Sequence, residues 1–253
     1  MHIINRFGVA LQFLTRLPLP WQPPYDEHDF PRALHYAPLV GAVLGAILAA
    51  IAWLLGFIAP PELRAMVLLV AYIWLTGGLH LDGLGDTFDG LGSGKNPERM
   101  LEIMRDSRIG SSALLAILAA MLLNWSALMV LPEDILLRTL LLYPVLGRMC
   151  MLISAASSSY ARSGPGLGRA IIEACSFRSI APWLGAVLLY AYACLNYAGL
   201  LCVLFAYGVA WALSKSIANT LGGATGDTLG AVLEISQVAV LVAIACLYYV
   251  RFM

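Results

Sequence analysis

Residues 37–59 read APLVGAVLGAILAAIAWLLGFIA, a stretch without a charged side chain. A helix of about 20 apolar residues crosses the hydrocarbon core of a bilayer, so this stretch predicts a membrane span. Gly41 and Gly45 within it form a small-xxx-small pair, which lets a neighbouring helix approach closely. The stretch therefore predicts a span that packs against a second helix.

The composition of the whole chain extends this conclusion. Hydrophobic residues make up 60% of the 253 residues and charged residues 12%, whereas a soluble domain has roughly 25% charged residues. A soluble globule of this length cannot bury so much apolar surface. The 15 basic and 15 acidic side chains give no net charge, which argues against nucleic-acid binding. The five cysteines form no CxxC pair, so neither a zinc site nor a disulfide framework is predicted.

Further apolar stretches follow the first one, at residues 65–79, 112–131, 135–155, 180–213 and 229–250. The stretch 180–213 is too long for one crossing and long enough for two, with a break near residues 196–199. The N-terminal residues instead predict a short interfacial helix with one apolar face, which ends at Pro18 and Pro20. The sequence thus predicts an all-α polytopic membrane bundle of about seven spans with cytoplasmic loop helices, as a single integral-membrane domain over residues 1–253.

The basic residues predict the orientation of the chain in the membrane. If the N-terminus lies in the cytoplasm, eleven of the 15 Lys and Arg residues fall in cytoplasmic segments, two in external segments and two within the fourth span. Cytoplasmic loops of membrane proteins carry an excess of Lys and Arg. The large loops are therefore predicted to face the cytoplasm.

The densest acidic segment lies at residues 77–90, which read GGLHLDGLGDTFDG. Asp82, Asp86 and Asp89 stand at i, i+4 and i+7, the spacing that aligns side chains on one helix face. Three such carboxylates repel one another, and Mg²⁺ is a hard cation that carboxylates bind. The alternative is a solvated acidic face, which the neighbouring glycines make less suitable. His80 is compatible with either a structural or a chemical role.

A second polar segment begins where Asn96 and Pro97 predict the start of a helix. It carries Arg105, Asp106 and Arg108. Arginines bind phosphate through two parallel hydrogen bonds, and the aspartate can complete a metal site. The alternative is an ordinary salt-bridged surface helix, but the acidic segment upstream favours function.

A third segment, residues 222–230, reads GGATGDTLG. A glycine-rich turn that opens a helix suits anions, because backbone N–H groups are exposed there. Asp227 does not suit an anion site unless it binds a metal, a ribose hydroxyl or an arginine. Glu234, at the depth of the last span, needs a partner, for which Arg148 is the hypothesis. Together the three segments suit phosphoryl transfer.

Four segments resemble the cobalamin synthase family, the adenosylcobinamide-GDP ribazoletransferases of the bacterial inner membrane. The matching residues are FLTRLPLP at 13–20, GGLHLDGLGD at 77–86, MLEIMRDSRIG at 100–110 and GGATGDTLGA at 222–231. They follow one another in order over nearly the whole chain. Phe88 and the pair Ser111 and Ser112 depart mildly from the usual pattern of the family, which bears on substrate contacts and not on the reaction.

The resemblance implies a Mg²⁺-dependent phosphotransferase that joins adenosylcobinamide-GDP to α-ribazole or its 5′-phosphate and releases GMP. The expected metal ligands are Asp82, Asp86, Asp89 and Asp106. The expected catalytic residues, one aspartate of which takes the proton of the attacking hydroxyl, are Asp82, Asp86 and Arg105. The expected substrate-binding residues are His80, Arg108, Thr225, Gly226 and Asp227. A homo-oligomer in the inner membrane is compatible with this interpretation.

Two other functions fit parts of the sequence. A CDP-alcohol phosphotransferase also has an aspartate-rich helix in a membrane, but the continuous DG…AR…G…D…D motif of that family is absent from this sequence. A transporter would use Arg138, Arg148 and Glu234 within the spans to line a pathway. The sequence shows no inverted repeat and its polar clusters lie in loops, which argues against a transporter.

Overall fold

The computed structural model describes residues 3–24, 26–164 and 166–251, and within these ranges every regular element is a helix. The predicted all-α class is confirmed. A short 3₁₀ turn joins the second and third helices, and a single isolated β-bridge pairs two loops of the described chain. The helices are α1 (Ile3–Leu14), α2 (Phe30–Ala33), α3 (Ala37–Gly56), α4 (Pro61–Thr76), α5 (Leu79–Gly92), α6 (Pro97–Ile103), α7 (Ser111–Val130), α8 (Glu133–Ser157), α9 (Leu167–Ala174), α10 (Phe177–Leu221) and α11 (Gly226–Arg251).

The helices long and apolar enough to cross a membrane number five in the described chain. A sixth crossing is added when α4 and α5, which meet at 90°, are taken as one broken span. The sequence predicts about seven. The difference lies in α10, which has 45 residues. It counts as one of the five candidate spans, although the chain reverses direction within it.

The reversal in α10 occurs at the position where the sequence predicts a break. Asn196 has φ +53°, a left-handed conformation, and Leu195 beside it also leaves the helical region. A Cβ atom on Gly199 would collide with the carbonyl oxygen of Ala191, which lies eight residues earlier. A straight helix separates such residues by about 12 Å, so the two arms fold against each other. The predicted break near residues 196–199 is confirmed.

The centre of the bundle is α8, which packs against α3, α10 and α11. Gly41 and Gly45 bring α3 onto its backbone. A Cβ atom at either position would lie 2.6 Å from a carbonyl oxygen of α8, that of Pro144 or that of Leu140. The predicted close helix contact is therefore confirmed, and it depends on glycine at both positions.

The N-terminal helix α1 packs against the bundle, because its apolar face contacts α3. Its first residues, Ile3 and Ile4, remain exposed. Arg6 donates to the carboxylate of Asp29 through two nitrogens, at 2.6 and 2.9 Å. This bidentate contact lowers the pKa of Asp29 and connects α1 to α2.

Charged side chains inside the bundle are connected through neutral ones. Arg148 on α8 donates to Gln237 on α11 at 3.1 Å, and the Gln237 amide donates to the Tyr72 hydroxyl at 3.0 Å. Tyr72 in turn donates to Glu234 at 2.9 Å. Among the described residues Arg148 and Glu234 form no direct ion pair, so the hypothesis that they pair is wrong. The hydrogen-bond partner of Glu234 is a tyrosine, and its other carboxylate oxygen, Oε2, has no hydrogen-bond partner within the described chain.

Candidate active site

The acidic helix α5 begins at a sharp bend made by two glycines. Gly77 and Gly78 have φ values of +66° and +72°, the left-handed region that residues with a side chain rarely adopt. Thr76 donates its hydroxyl to the Tyr72 carbonyl at 2.9 Å and closes the last turn of α4. The axis of α5 is therefore bent by 90° from the axis of α4. As a result, the carboxylates of α5 do not lie along the line of the α4 span.

Close backbone contact holds α5 against the start of α11. A Cβ atom on Gly83 would lie 2.7 Å from the carbonyl oxygen of Asp227, and one on Gly230 would lie 3.2 Å from the Cα atom of His80. Only glycine permits this approach at Gly83. The crossing brings the acidic segment and the glycine-rich turn, about 145 residues apart in sequence, to one site.

A cavity of about 330 Å³ lies between α5 and the loop that joins α6 to α7. It brings together two of the three polar segments that the sequence singles out. Asp82 and Asp86 have no ion pair or side-chain hydrogen bond within the described chain, so their carboxylates are available to a ligand. The predicted site residues that line this cavity are Asp82, Asp86, Asp89, Arg105, Asp106 and Arg108.

Asp89 stands apart from the other two aspartates of α5 because its carboxylate is engaged. One oxygen accepts the backbone N–H of Gly110 at 2.6 Å, and the other accepts that of Ala113 at 2.8 Å. These N–H groups belong to the first turn of α7, where an anion offsets the helix dipole. Asp89 thus caps α7 from a neighbouring helix.

The two arginines of the α6–α7 loop have different surroundings. Arg108 donates to both oxygens of Asp106, the shortest contact being 2.5 Å, and its backbone N–H donates to the same carboxylate. These hydrogen bonds lower the pKa of Asp106 to about 2. Arg105 is exposed at the cavity and makes no ion pair with the described residues. It is the less restrained of the two cations.

The glycine-rich turn is held by the loop between α8 and α9. Ala224 donates its N–H to the Ser159 carbonyl at 2.8 Å and accepts the N–H of Ala161 at 2.9 Å. The next residue of that loop, Arg162, donates to Asp227 at 2.9 Å. An arginine was one of the three partners that the sequence allows for Asp227, and the structure shows that Arg162 is this partner.

Thr225 and Gly226 lie at the first turn of α11. The Thr225 hydroxyl accepts the N–H of Thr228, and the Thr228 hydroxyl accepts the N–H of Thr225, a reciprocal cap. Thr225 is fully buried, whereas Gly226 is exposed and lies against Gly168 of α9. Gly226 and Asp227 line a second cavity, of about 150 Å³, together with His80 and Asp82.

Two basic residues at the site have no predicted role. Arg162 belongs to a loop whose position depends on the β-bridge, so no local pattern indicates it. Arg16 donates its backbone N–H to the Leu75 carbonyl at 2.7 Å, and with Asp82 it lines an open cleft of about 700 Å³. Arg16 belongs to the segment 13–20 that resembles the family, and this resemblance could have indicated it as a site residue.

Few side chains of the site are positioned to bind a metal ion. Within the described ranges no group of three or more His, Cys, Asp or Glu side chains converges closely enough to hold a metal ion. Mg²⁺ differs from zinc in this respect, because it commonly binds one or two carboxylates and completes its shell with water and substrate phosphate. Asp82 and Asp86, one turn apart and both lining the cavity, fit that lower requirement.

Comparison with known proteins identifies the family of the chain. A model of the family described as cobalamin-5-phosphate synthase matches residues 6–245. The chain belongs to this family. The matched range includes α5, the α6–α7 loop and the glycine-rich turn, so all three polar segments of the site lie within it. No solved structure matches the chain.

Three relatives are similar to this chain over most of their length. The adenosylcobinamide-GDP ribazoletransferase of Acetivibrio thermocellus is 43% identical over 237 residues, which cover 94% of this chain and 96% of the relative. A protein of the same name from Clostridium acetobutylicum is 39% identical over 99% of this chain and 100% of its own length. One from Roseiflexus sp. is 42% identical over 92% of this chain and 87% of the relative.

Proposed function

We propose that the chain transfers the adenosylcobinamide phosphoryl group from adenosylcobinamide-GDP to a hydroxyl of α-ribazole or α-ribazole 5′-phosphate, with release of GMP. The names of the relatives contain adenosylcobinamide-GDP and ribazole, and the family resemblance implies the α form of ribazole or its 5′-phosphate. The observation that carries the proposal is the 330 Å³ cavity, in which two carboxylates and one arginine lie without an ion pair to any of the described residues. Such a site suits a reaction that needs a proton acceptor and neutralisation of phosphate charge.

The chemistry follows from the positions of these side chains. The acceptor hydroxyl attacks the phosphorus that carries adenosylcobinamide, and its proton passes to the carboxylate of Asp82 or Asp86. The bond between that phosphorus and the oxygen of GMP breaks, and GMP leaves with the electron pair. Arg105 neutralises the charge that develops on the diphosphate, and Arg108, held by Asp106, adds a second positive charge at the cavity rim.

A magnesium ion belongs to the same proposal. Asp82 and Asp86 would hold it, and when bound it would neutralise charge on the diphosphate. Asp89 and Asp106 were also expected to be ligands. We assign them supporting positions instead, because Asp89 caps α7 and Asp106 binds Arg108.

We further propose that this site faces the cytoplasm, as the distribution of basic residues predicts, in the bacterial inner membrane that the family resemblance implies. The apolar helices support a multi-pass membrane protein. The site itself lies at the loop ends of α5, α7 and α11 and not at the middle of the spans. Soluble substrates would therefore reach it from one side of the membrane.

The proposal is tested with the purified protein in detergent, supplied with adenosylcobinamide-GDP, α-ribazole and Mg²⁺. Chromatography is expected to show equal amounts of GMP and the cobalamin product. Asp82→Asn and Asp86→Asn should each lower kcat by about 100-fold or more, because each variant loses either the proton acceptor or a ligand of the proposed Mg²⁺. Asp134→Asn, an exposed aspartate at the opposite end of α7 and α8, serves as the control. Release of CMP from a CDP-alcohol, or wild-type turnover by both variants, would contradict the proposal.

A further inference from the structure

A third carboxylate lies next to the two that we assign to the magnesium ion. A Cβ atom on Gly83, the residue after Asp82, would lie 3.0 Å from the Cα atom of Asp227. Asp82 and Asp227 also line the same cavity of about 150 Å³, and Asp82 lines the 330 Å³ cavity together with Asp86. The crossing of α5 and α11 therefore brings three acidic side chains to adjoining spaces.

Asp227 differs from the other two because its carboxylate has a positively charged partner. Nη2 of Arg162 donates to Oδ2 of Asp227 at 2.9 Å, and the Thr225 hydroxyl donates to the same oxygen at 3.3 Å. The side chains of Arg162 and Asp227 are only 14% and 27% exposed. Solvent and salt screen a partly buried ion pair less than an exposed one, so this pair restrains the Asp227 carboxylate.

The loop that carries Arg162 is fixed where it meets the start of α11. Tyr160 of this loop forms a β-bridge with Ala224. A Cβ atom on Gly223 would lie 2.5 Å from a backbone carbonyl oxygen of the same loop, so the close approach requires glycine. The bridge therefore holds Arg162, two residues beyond Tyr160, beside Asp227.

The number of carboxylates around a divalent cation affects both its affinity and its chemistry. An added carboxylate strengthens binding through its charge, and it occupies a position that water or a substrate phosphate would otherwise take. It also neutralises part of the charge with which the ion polarises a phosphate oxygen. A third carboxylate would therefore make the site at Asp82 and Asp86 bind its ion more tightly and react more slowly.

We propose that Arg162 is a positioning residue that holds the Asp227 carboxylate away from the magnesium ion, so that the ion is left to Asp82 and Asp86. The inference rests on the proposed function, because the magnesium ion belongs to that proposal. Without Arg162, the Asp227 carboxylate loses its ion-pair partner and is drawn to the nearest cation, which is the bound metal. Arg162 thus lowers the affinity for the metal and raises the rate of turnover.

The first arm of the test measures metal binding without substrate. Mn²⁺, which prefers the same oxygen ligands as Mg²⁺, is titrated into the purified protein in detergent, and the free ion is measured by electron paramagnetic resonance. Arg162→Gln is expected to bind Mn²⁺ about tenfold more tightly than the wild type, whereas Arg162→Lys, which keeps the charge, should stay within about twofold. Arg169→Gln, which breaks an arginine–carboxylate pair of α9 outside both cavities, is the matched control.

The second arm changes the carboxylate instead of the arginine. Asp227→Asn alone should alter the Kd for Mn²⁺ by less than about twofold, because Asp227 is not a ligand in the wild type. Added to Arg162→Gln, the same change should abolish the gain in affinity. In turnover assays Arg162→Gln should lower kcat about tenfold and also lower the Mg²⁺ concentration that gives half the maximal rate, which a general loss of structure would not do.

Two results would overturn the proposal: Mn²⁺ binding by Arg162→Gln that is unchanged or weaker, or a loss of about tenfold in Mn²⁺ affinity in Asp227→Asn alone. If Arg162→Gln fails to fold, the measurement on Asp227→Asn decides. Absence of GMP release by the wild type would contradict the proposed function, whereas the Mn²⁺ titration, which uses no substrate, still tests Arg162.

Discussion

At the scale of single residues, the three aspartates of α5 look alike in sequence and differ in their surroundings. Their i, i+4, i+7 spacing was enough to place them on one helix face, and all three line the same cavity. Asp89 nevertheless uses both carboxylate oxygens to cap α7, while Asp82 and Asp86 have no such contacts within the described chain. Spacing along a helix reveals a shared face, but it does not reveal which side chain meets the end of another helix.

The capping role of Asp89 predicts a stability effect. Asp89→Asn removes the charge at the N-terminus of α7 and leaves a single acceptor oxygen for two N–H donors, so we expect a loss of about 1 kcal/mol in the free energy of unfolding. A thermal melt in detergent measures the loss, with Glu27→Gln, an exposed carboxylate in a loop, as the control. The dependence of turnover on Mg²⁺ concentration should stay as in the wild type. A large rise in the Mg²⁺ concentration needed would show instead that Asp89 binds the metal.

At the scale of helices, glycines at crossings determine how the site is assembled. Gly41 and Gly45 fit α3 to α8, and the small-xxx-small spacing in the sequence predicted that contact. Gly83 and Gly230 fit α5 to α11, and each helix contributes one glycine to that crossing. The first contact stabilises the bundle, whereas the second brings Asp227 to the carboxylates of α5.

The crossing at Gly83 predicts a sharp intolerance to a methyl group. In Gly83→Ala the new Cβ atom would meet the Asp227 carbonyl oxygen at 2.7 Å, a backbone atom that cannot rotate away. Overpacking of this kind costs about 1–3 kcal/mol, so we expect a lower melting temperature and reduced GMP release. Gly208→Ala is the matched control, since its Cβ atom would meet nothing within 4 Å and alanine favours a helix. Equal behaviour of the two variants would contradict the proposed contact.

At the scale of the whole molecule, the polar groups divide into two sets with different surroundings. The candidate site lies at the loop ends of helices and is open to solvent through its cavities. The set inside the bundle, from Arg148 through Gln237 and Tyr72 to Glu234, is buried and connected by hydrogen bonds. Within the bundle, Arg148 and Glu234 are thus linked to each other through the neutral side chains of Gln237 and Tyr72.

The orientation of the bundle predicts which loops a water-soluble reagent reaches. In a Cys246→Ala background, which removes the exposed cysteine of the described chain, Lys95→Cys lies between α5 and α6 and Ile58→Cys lies between α3 and α4. A membrane-impermeant maleimide should label Lys95→Cys in inside-out vesicles only and Ile58→Cys in spheroplasts only, because the site faces the cytoplasm. The reverse pattern would contradict the proposed orientation.

The sequence by itself determined the helices, the membrane environment and the candidate residues of the site. These features depend on local properties: the length of apolar runs, the spacing of Asp82 and Asp86 on one helix, and the signals at Asn96 and Pro97 that begin α6. The break in the long apolar stretch of α10 was also predictable, because that stretch exceeds the length of one crossing.

Only the tertiary structure decided how the candidate residues are used. Arg162 reaches Asp227, 65 positions away, because a bridge between Tyr160 and Ala224 joins two loops. The cavity at His80 exists because six separate parts of the chain leave a space that none of them encloses alone. Local patterns carry no information about such contacts, since they arise from the packing of helices far apart in sequence.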